Sequence, residues 1–61
     1  MLYKVYDAET GGLLEEREVQ ETLPPLPGES WPLADGEKIV IKAEPAGDAA
    51  KGVIFIKVLV R

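Results

Sequence analysis

The side chains that most often perform catalysis are scarce in this chain. The 61 residues include no histidine and no cysteine, and apart from the tyrosines the hydroxyl side chains are Thr10, Thr22 and Ser30. A serine or threonine becomes a nucleophile only beside a base, and here that base would have to be a carboxylate or a lysine. A chain this short also has little room for a pocket that excludes water. We therefore predict that the protein is not an enzyme and uses no cofactor.

Carboxylates are plentiful, and they are concentrated early in the chain. A zinc site needs Cys or His ligands, so only a cation such as Ca²⁺ or Mg²⁺ would suit an all-oxygen ligand set. The acidic spacing matches no calcium-binding loop, and Glu15 and Glu16 would point to opposite faces of a strand. We predict no metal site, and an acidic face that docks on a basic protein is the stronger interpretation. The acidic residues concerned are Asp7, Glu9, Glu15, Glu16, Glu18 and Glu21.

Basic residues are concentrated in the second half and suggest an alternative function. Residues 1–34 carry two basic and seven acidic side chains, whereas residues 35–61 carry five basic and four acidic ones. On strands, Lys38 and Lys42 would share a face with Val40, and Lys57 would share one with Phe55. Paired strands would then gather positive charge around an aromatic ring, as in proteins that bind single-stranded nucleic acid. The acidic first half opposes this function. Its contact residues would be Lys38, Lys42, Lys57 and Arg61.

The last ten residues carry the clearest strand pattern. One face of such a strand holds only apolar side chains, and the other face is mostly apolar as well. A strand with one solvated face should alternate cleanly between apolar and polar residues. This strand therefore needs cover on both sides, from a central place in a small barrel or sandwich, or from a partner chain. The first face comprises Ile54, Ile56, Val58 and Val60.

Self-association would supply such cover and would stabilise a very small domain. A chain of this length buries only about 60% of its unfolded surface, and without cysteine it has no disulfide. Small domains often depend on an oligomer interface instead. We predict a protein that binds other proteins and associates with itself. Its interaction surface is predicted to comprise Phe55, Trp31, Leu59 and Tyr3, because aromatic and large apolar residues anchor cores and interfaces.

The other elements follow from turn signals between short apolar runs. Paired glycines at residues 11–12 and the Asp35-Gly36 dipeptide predict tight turns. Residues 13–23 have no clean period: their composition favours helix, whereas the preceding turn favours the second strand of a hairpin. The predicted strands are residues 2–6, 13–23, 29–33, 38–43 and 52–60, with a mobile loop over residues 44–51.

These elements predict a single all-β, mainly antiparallel domain over residues 1–61. Four to five short strands with closely spaced turns resemble a small SH3-like barrel or sandwich. If residues 13–23 are helical, the alternative is a β-grasp-like α+β fold.

The Pro-rich segment at residues 24–27 has the form of a polyproline II ligand. Its prolines exclude a helix or an inner strand there. Ligands of SH3 domains usually carry a basic residue beside the core, whereas Glu21 and Glu29 flank this segment. A stiff crossover between hairpins, which lowers the entropy of the unfolded chain, is therefore the preferred interpretation.

Two further predictions concern the setting of the protein. Met1 leads directly into a predicted strand without the leader of a signal peptide, and the longest apolar run is too short to cross a bilayer. A cytoplasmic location is the default expectation. The chain also lacks asparagine and has one glutamine and one methionine, a depletion of thermally labile residues that predicts a thermophilic source.

Overall fold

The computed structural model describes residues 1–20 and 23–61, which form five strands and one short 3₁₀ helix. The strands make a nearly closed, barrel-like sheet in the order β2-β1-β5-β4-β3. The predicted all-β class is confirmed, and the small domain fits an SH3-like barrel. The strands are β1 (Leu2–Asp7), β2 (Leu13–Glu18), β3 (Ser30–Leu33), β4 (Gly36–Asp48) and β5 (Val53–Val60).

The first two strands form the hairpin that the paired glycines predicted. The Asp7 carboxylate accepts a hydrogen bond from the backbone N–H of Glu9 at 2.8 Å, and Gly11 has a positive φ of 77°. β2 runs antiparallel to β1, with Glu15 opposite Val5 and Arg17 opposite Tyr3. The helical alternative for residues 13–23, and the β-grasp-like fold with it, is therefore wrong. Residues 21 and 22 of the predicted strand lie outside the described residues.

The C-terminal strand occupies the centre of the sheet, as its apolar pattern predicted. β5 pairs antiparallel with β4 and parallel with β1, so that Val58 lies between Ala43 and Val5. Parallel neighbours need a long connection between them. Here the connection includes β2, β3 and β4, and it brings the first and last strands of the chain together.

β4 is longer than predicted. The prediction of a loop over residues 44–51 is wrong, because residues 44–48 continue the strand and only residues 49–51 form the turn. The β4–β5 pairing continues to Asp48 opposite Val53, where a 3₁₀ helix (Ala49–Lys51) turns the chain. Pro45 is tolerated because successive residues of β5 direct their backbone groups to opposite neighbours. Arg61 exchanges hydrogen bonds with Ile39 of β4, whereas the carbonyl of Val60 accepts a bond from Ala8, just after β1. Pro45 lies opposite Ile56, so its nitrogen faces the free edge of β4, where proline costs no ladder hydrogen bond.

The buried core lies on the inner face of the sheet. A bulge between Val40 and Lys42 inserts one extra residue into β4. The alternation of faces therefore shifts by one residue: Val40 points to the inner face, whereas Lys42 points to the outer face. The core residues are Tyr3, Val5, Trp31, Val40, Ile56, Val58 and Val60.

No helix in the described parts of the chain is long and apolar enough to span a membrane.

Candidate functional site

The described hydroxyl and carboxylate groups hold local structure. Thr10 Oγ1 accepts a hydrogen bond from the backbone N–H of Gly12 at 3.1 Å. Ser30 Oγ donates to Glu37 Oε2 at 3.0 Å across the β3–β4 pair. Thr22 lies outside the described residues. Within residues 1–20 and 23–61, no three acidic side chains come together as a metal site would require.

Arg17 joins the two edge strands of the sheet. Its guanidinium lies 5.0 Å from the centroid of the Trp31 ring, and its Nη2 donates to the carbonyl oxygen of Pro32 at 2.8 Å. Trp31 stacks in turn on Tyr3, with 5.8 Å between ring centroids and 12° between planes. Arg17 also pairs with Glu15 on the same face of β2. This stack of a cation and two aromatic rings bridges the gap that would otherwise leave the barrel open between β2 and β3.

An open cleft of about 1080 Å³ lies beside the stack of Arg17, Trp31 and Tyr3. Its lining includes Tyr3, Val19, Trp31 and the crossover prolines Pro24 and Pro25. An aromatic and proline lining is typical of grooves that hold extended peptides. Two of the polar groups are engaged within the chain, because Arg17 donates to Pro32 and Tyr3 Oη donates to the carbonyl of Leu23 at 3.3 Å. The Nε1 of Trp31 is buried without a hydrogen-bond partner among the described residues. The cleft therefore combines apolar surface with some polar groups.

The outer face of the sheet alternates apolar and charged rows across four strands. The register places Glu16, Lys4, Lys57 and Glu44 in one row, with negative residues outside and positive residues inside. The rows on either side of it are mostly apolar. One contains Leu2, Phe55 and Ala46, and the other contains Leu13, Tyr6 and Leu59.

The two central lysines of this charged row lie on aromatic rings. Lys4 and Lys57 are direct register partners, and like charges at such positions repel. Their side chains lean in opposite directions: Lys4 Nζ lies 4.4 Å from the centroid of Phe55, and Lys57 Nζ lies 5.2 Å from that of Tyr6. Each cation gains a cation–π contact, and each aliphatic stem covers an apolar row. These two lysines thus cover part of the Phe55 and Tyr6 rings, and the face as a whole stays accessible.

A two-stranded extension projects beyond the barrel. We call it the ribbon and define it as residues 44–48 of β4 and 53–55 of β5. Among the described residues, the ribbon strands pair only with each other, because the pairing of β1 with β5 begins at Tyr3 opposite Ile56 and the pairing of β3 with β4 reaches only Ile39. Val53 and Ile54 are 52% and 54% exposed on opposite sides of the ribbon. The ribbon is therefore a regular β-structure with little burial.

The side of the ribbon that continues the core face carries no charge. We call this side the underside and define it as Pro45, Gly47 and Ile54, with Ile56 at its base. Ile54 faces Gly47, which has no side chain to cover it, so the isoleucine stands out from the surface. The opposite side of the ribbon carries Asp48 beside Val53. The underside is a small, uncharged apolar surface that faces solvent.

The structure divides the predicted interaction surface between two faces. Phe55 and Leu59 are both on the outer face and half-buried, but they lie in separate apolar rows on either side of Lys57. Tyr3 and Trp31 lie on the inner face, 2% and 9% exposed, and belong to the core. The four side chains therefore do not form one patch.

The predicted basic residues are divided as well. Lys42 and Lys57 share the outer face with Arg61, whereas Lys38 lies opposite Trp31 on the inner face. The predicted shared face of Lys38 and Lys42 is wrong because the bulge at residue 41 reverses the side to which Lys42 points. Lys42 also pairs with Glu44 at 3.6 Å.

Sequence reasoning did not single out Ile54, which is exposed on the ribbon, or Arg17, which joins the two edge strands. Ile54 fits the apolar pattern of β5, and only the lengths of the neighbouring strands reveal that it lies beyond the core. Arg17 gave a signal in its alternation with Glu15 and Val19, but its ring contact depends on β2 meeting β3.

No protein family, curated protein or solved structure matches this chain.

Proposed function

We propose that this protein is a non-catalytic interaction module that associates with itself through the underside of the ribbon. The observation that carries the proposal is the exposure of Ile54, which is 54% exposed although the next two residues on its face, Ile56 and Val58, are core residues. An isolated two-stranded ribbon is only marginally stable in water. Packing the underside against another surface would bury Ile54 and stabilise the ribbon.

A second copy of the chain is the occupant that the charges favour. The protein has a net charge of −4, so most contacts between two copies would bring like charges together. The underside is uncharged, and two copies can meet there without that cost. The outer face is a poorer interface, because a two-fold axis that superimposes its charged row places lysine against lysine. A short chain with few core residues also gains most from an interface.

The proposal is tested by introducing a charge on the underside. We expect Ile54→Glu to weaken self-association by at least about tenfold, because an interface would have to bury an unpaired carboxylate. The measurement is molar mass by size-exclusion chromatography with light scattering over a range of protein concentrations. The fold should persist, because Ile54 is already half exposed, and far-UV circular dichroism checks this.

The neighbouring position provides a matched control. Val53→Glu introduces the same charge at nearly the same exposure but on the opposite side of the ribbon. We expect this variant to retain the oligomeric mass of the parent protein. A parent protein that is monomeric at millimolar concentration contradicts the proposal. Equal dissociation by both variants would move the interface off the underside.

Nucleic-acid binding remains the alternative function, and one observation supports it. Lysines lie on Phe55 and Tyr6 on an accessible sheet face, and such faces can bind single strands. The ion pairs of Lys4 with Glu16 and of Lys42 with Glu44 offset the positive charge on that face. We therefore place this function second. A cytoplasmic location and a thermophilic source stay predictions from the sequence.

A further inference from the structure

The crossover between β2 and β3 exposes a regular pattern of leucine and proline. Leu23 and Leu26 are 81% and 65% exposed, the highest values among the large apolar side chains described. Pro24 and Pro27 are exposed, whereas Pro25 is half-buried against the body of the protein. Equivalent positions thus recur every three residues, which is the period of a polyproline II helix.

The local sequence restricts this segment to that conformation. Prolines at positions 24, 25 and 27 fix φ near −65°, and each proline disfavours the helical region for the residue before it. The leucines then form one ridge and Pro24 and Pro27 form a second. Leu23, Pro24 and Leu26 border the cleft, and all four side chains stay exposed. The resulting pattern is two Leu-Pro pairs separated by Pro25, spaced by one turn of about 9 Å.

Hydrogen bonds hold both ends of the segment in place. At one end, Tyr3 Oη donates to the carbonyl oxygen of Leu23 at 3.3 Å. At the other end, the backbone N–H of Glu29 donates to the carbonyl of Leu26 at 3.1 Å. That bond closes a turn with Pro27 at its second position and Gly28, at a φ of 92°, at its third, as a type II turn requires. Docking would therefore immobilise little additional chain.

We propose that residues 23–27 are a preformed ligand for a proline-recognition domain, meaning a domain with an aromatic-lined groove. Each Leu-Pro pair would fill one apolar pocket between aromatic rings of the partner, in the manner of polyproline II recognition. A stiff crossover needs no exposed leucines, so the sequence interpretation of a purely structural segment leaves Leu23 and Leu26 unexplained. The ligand is distinct from the ribbon and does not depend on self-association.

The charges beside the segment define the rim of the partner groove. Glu29 lies two residues after the segment, is exposed and borders the cleft. Glu18 also borders the cleft, but it pairs with the N-terminal ammonium of Met1. A groove with an acidic rim would repel the Glu29 carboxylate, whereas a basic rim would attract it. The structure therefore selects a proline-recognition domain with a basic rim.

The test uses the whole protein, ¹³C-labelled on leucine methyl groups, and a panel of purified SH3, WW and EVH1 domains. The panel includes domains with basic and with acidic groove rims. We expect saturable binding by basic-rimmed domains, with the methyl signals of Leu23 and Leu26 shifting and those of Leu13 and Leu14 unchanged. Replacing either Leu23 or Leu26 with alanine should weaken binding about tenfold.

Matched controls separate the ligand from general stickiness. Leu13→Ala removes the same type of side chain at a half-exposed position on β2 and should leave the affinity unchanged. Both crossover leucines are solvent-exposed, so their variants should remain folded by circular dichroism. The proposal is overturned if no domain in the panel binds with a dissociation constant below about 1 mM, which corresponds to a binding free energy of about −4.1 kcal/mol. It is equally overturned if binding survives in the Leu23→Ala, Leu26→Ala double variant.

Discussion

Gly47 is the residue whose identity most constrains the ribbon. Its φ is 107°, a region that side chains of L-amino acids rarely adopt, and a Cβ atom there would overlap the backbone carbonyl of Val53. Glycine is therefore required twice, once for its dihedral angle and once for the close approach of the two strands.

The first residue-scale prediction is that Gly47→Ala lowers the free energy of unfolding by about 2 kcal/mol or more. The loss combines backbone strain with displacement of Val53, and it is measured by urea denaturation. Gly52→Ala is the matched control, because Gly52 has a φ of 71° but open space around its Cβ position. A loss at Gly47 no larger than that at Gly52 would show that the close approach to Val53 is not a constraint.

Single residues show where sequence reasoning succeeds and where it stops. Trp31 was predicted as a core or interface anchor from its size and rarity, and it is a core residue. Arg17 reads in the sequence as one charge among several glutamates. Its contacts with Trp31 and Pro32 arise only when the sheet curls enough to bring its two edges together, which no local pattern encodes.

At the scale of elements, β4 differs most from its sequence-based prediction. Proline, glycine and small residues between positions 44 and 51 are typical of a loop, yet five of these residues continue the strand. The reason is tertiary: β5 is long enough to pair with all of them, and Pro45 happens to face the unpaired edge. The bulge at residue 41 has no clear sequence signal either, and it decides which face Lys42 occupies.

Pro45 also protects the free edge of β4, since proline and charge are common means of blunting exposed edges. We expect Pro45→Val to restore an edge N–H group and to add a β-branched side chain, and so to promote edge-to-edge pairing. The readout is loss of soluble protein and increased thioflavin T fluorescence on prolonged incubation at high concentration.

A valine at a neighbouring position of the same edge strand serves as the control for Pro45→Val. Ala46→Val adds a similar side chain, but the backbone nitrogen of residue 46 is directed towards β5, so the edge keeps its proline. We expect no increase in aggregation for this variant. If both variants aggregate alike, added β-propensity rather than the restored N–H group explains the effect.

At the scale of the whole molecule, the two-sided apolar pattern of β5 was the most useful feature of the sequence. It predicted a central strand, and the barrel-like sheet follows from covering its inner face. The parallel pairing of β1 with β5 was not predictable from spacing, because it depends on the path of the whole intervening chain. On the outer face of the sheet, Lys4 lies on the Phe55 ring and Lys57 lies on the Tyr6 ring. The sequence pattern predicted cover from a barrel or a partner chain and did not predict these contacts.

We expect the small core to couple folding to the proposed self-association. Seven of the described side chains are buried in the core. The described residues extend 34 Å in the longest dimension against 19 Å in the shortest, as a projecting ribbon requires. If two copies unfold together, mass action raises the melting temperature with concentration. For two chains of this length, the increase is up to about 5 °C for each tenfold rise in concentration.

Thermal unfolding at several concentrations therefore links the ribbon to the stability of the fold. The parent protein and Val53→Glu should show the concentration dependence, whereas Ile54→Glu should melt at one temperature throughout. A parent melting temperature that is independent of concentration would separate folding from association. The seven core residues would then have to stabilise the domain alone, and the exposed underside would need a different partner.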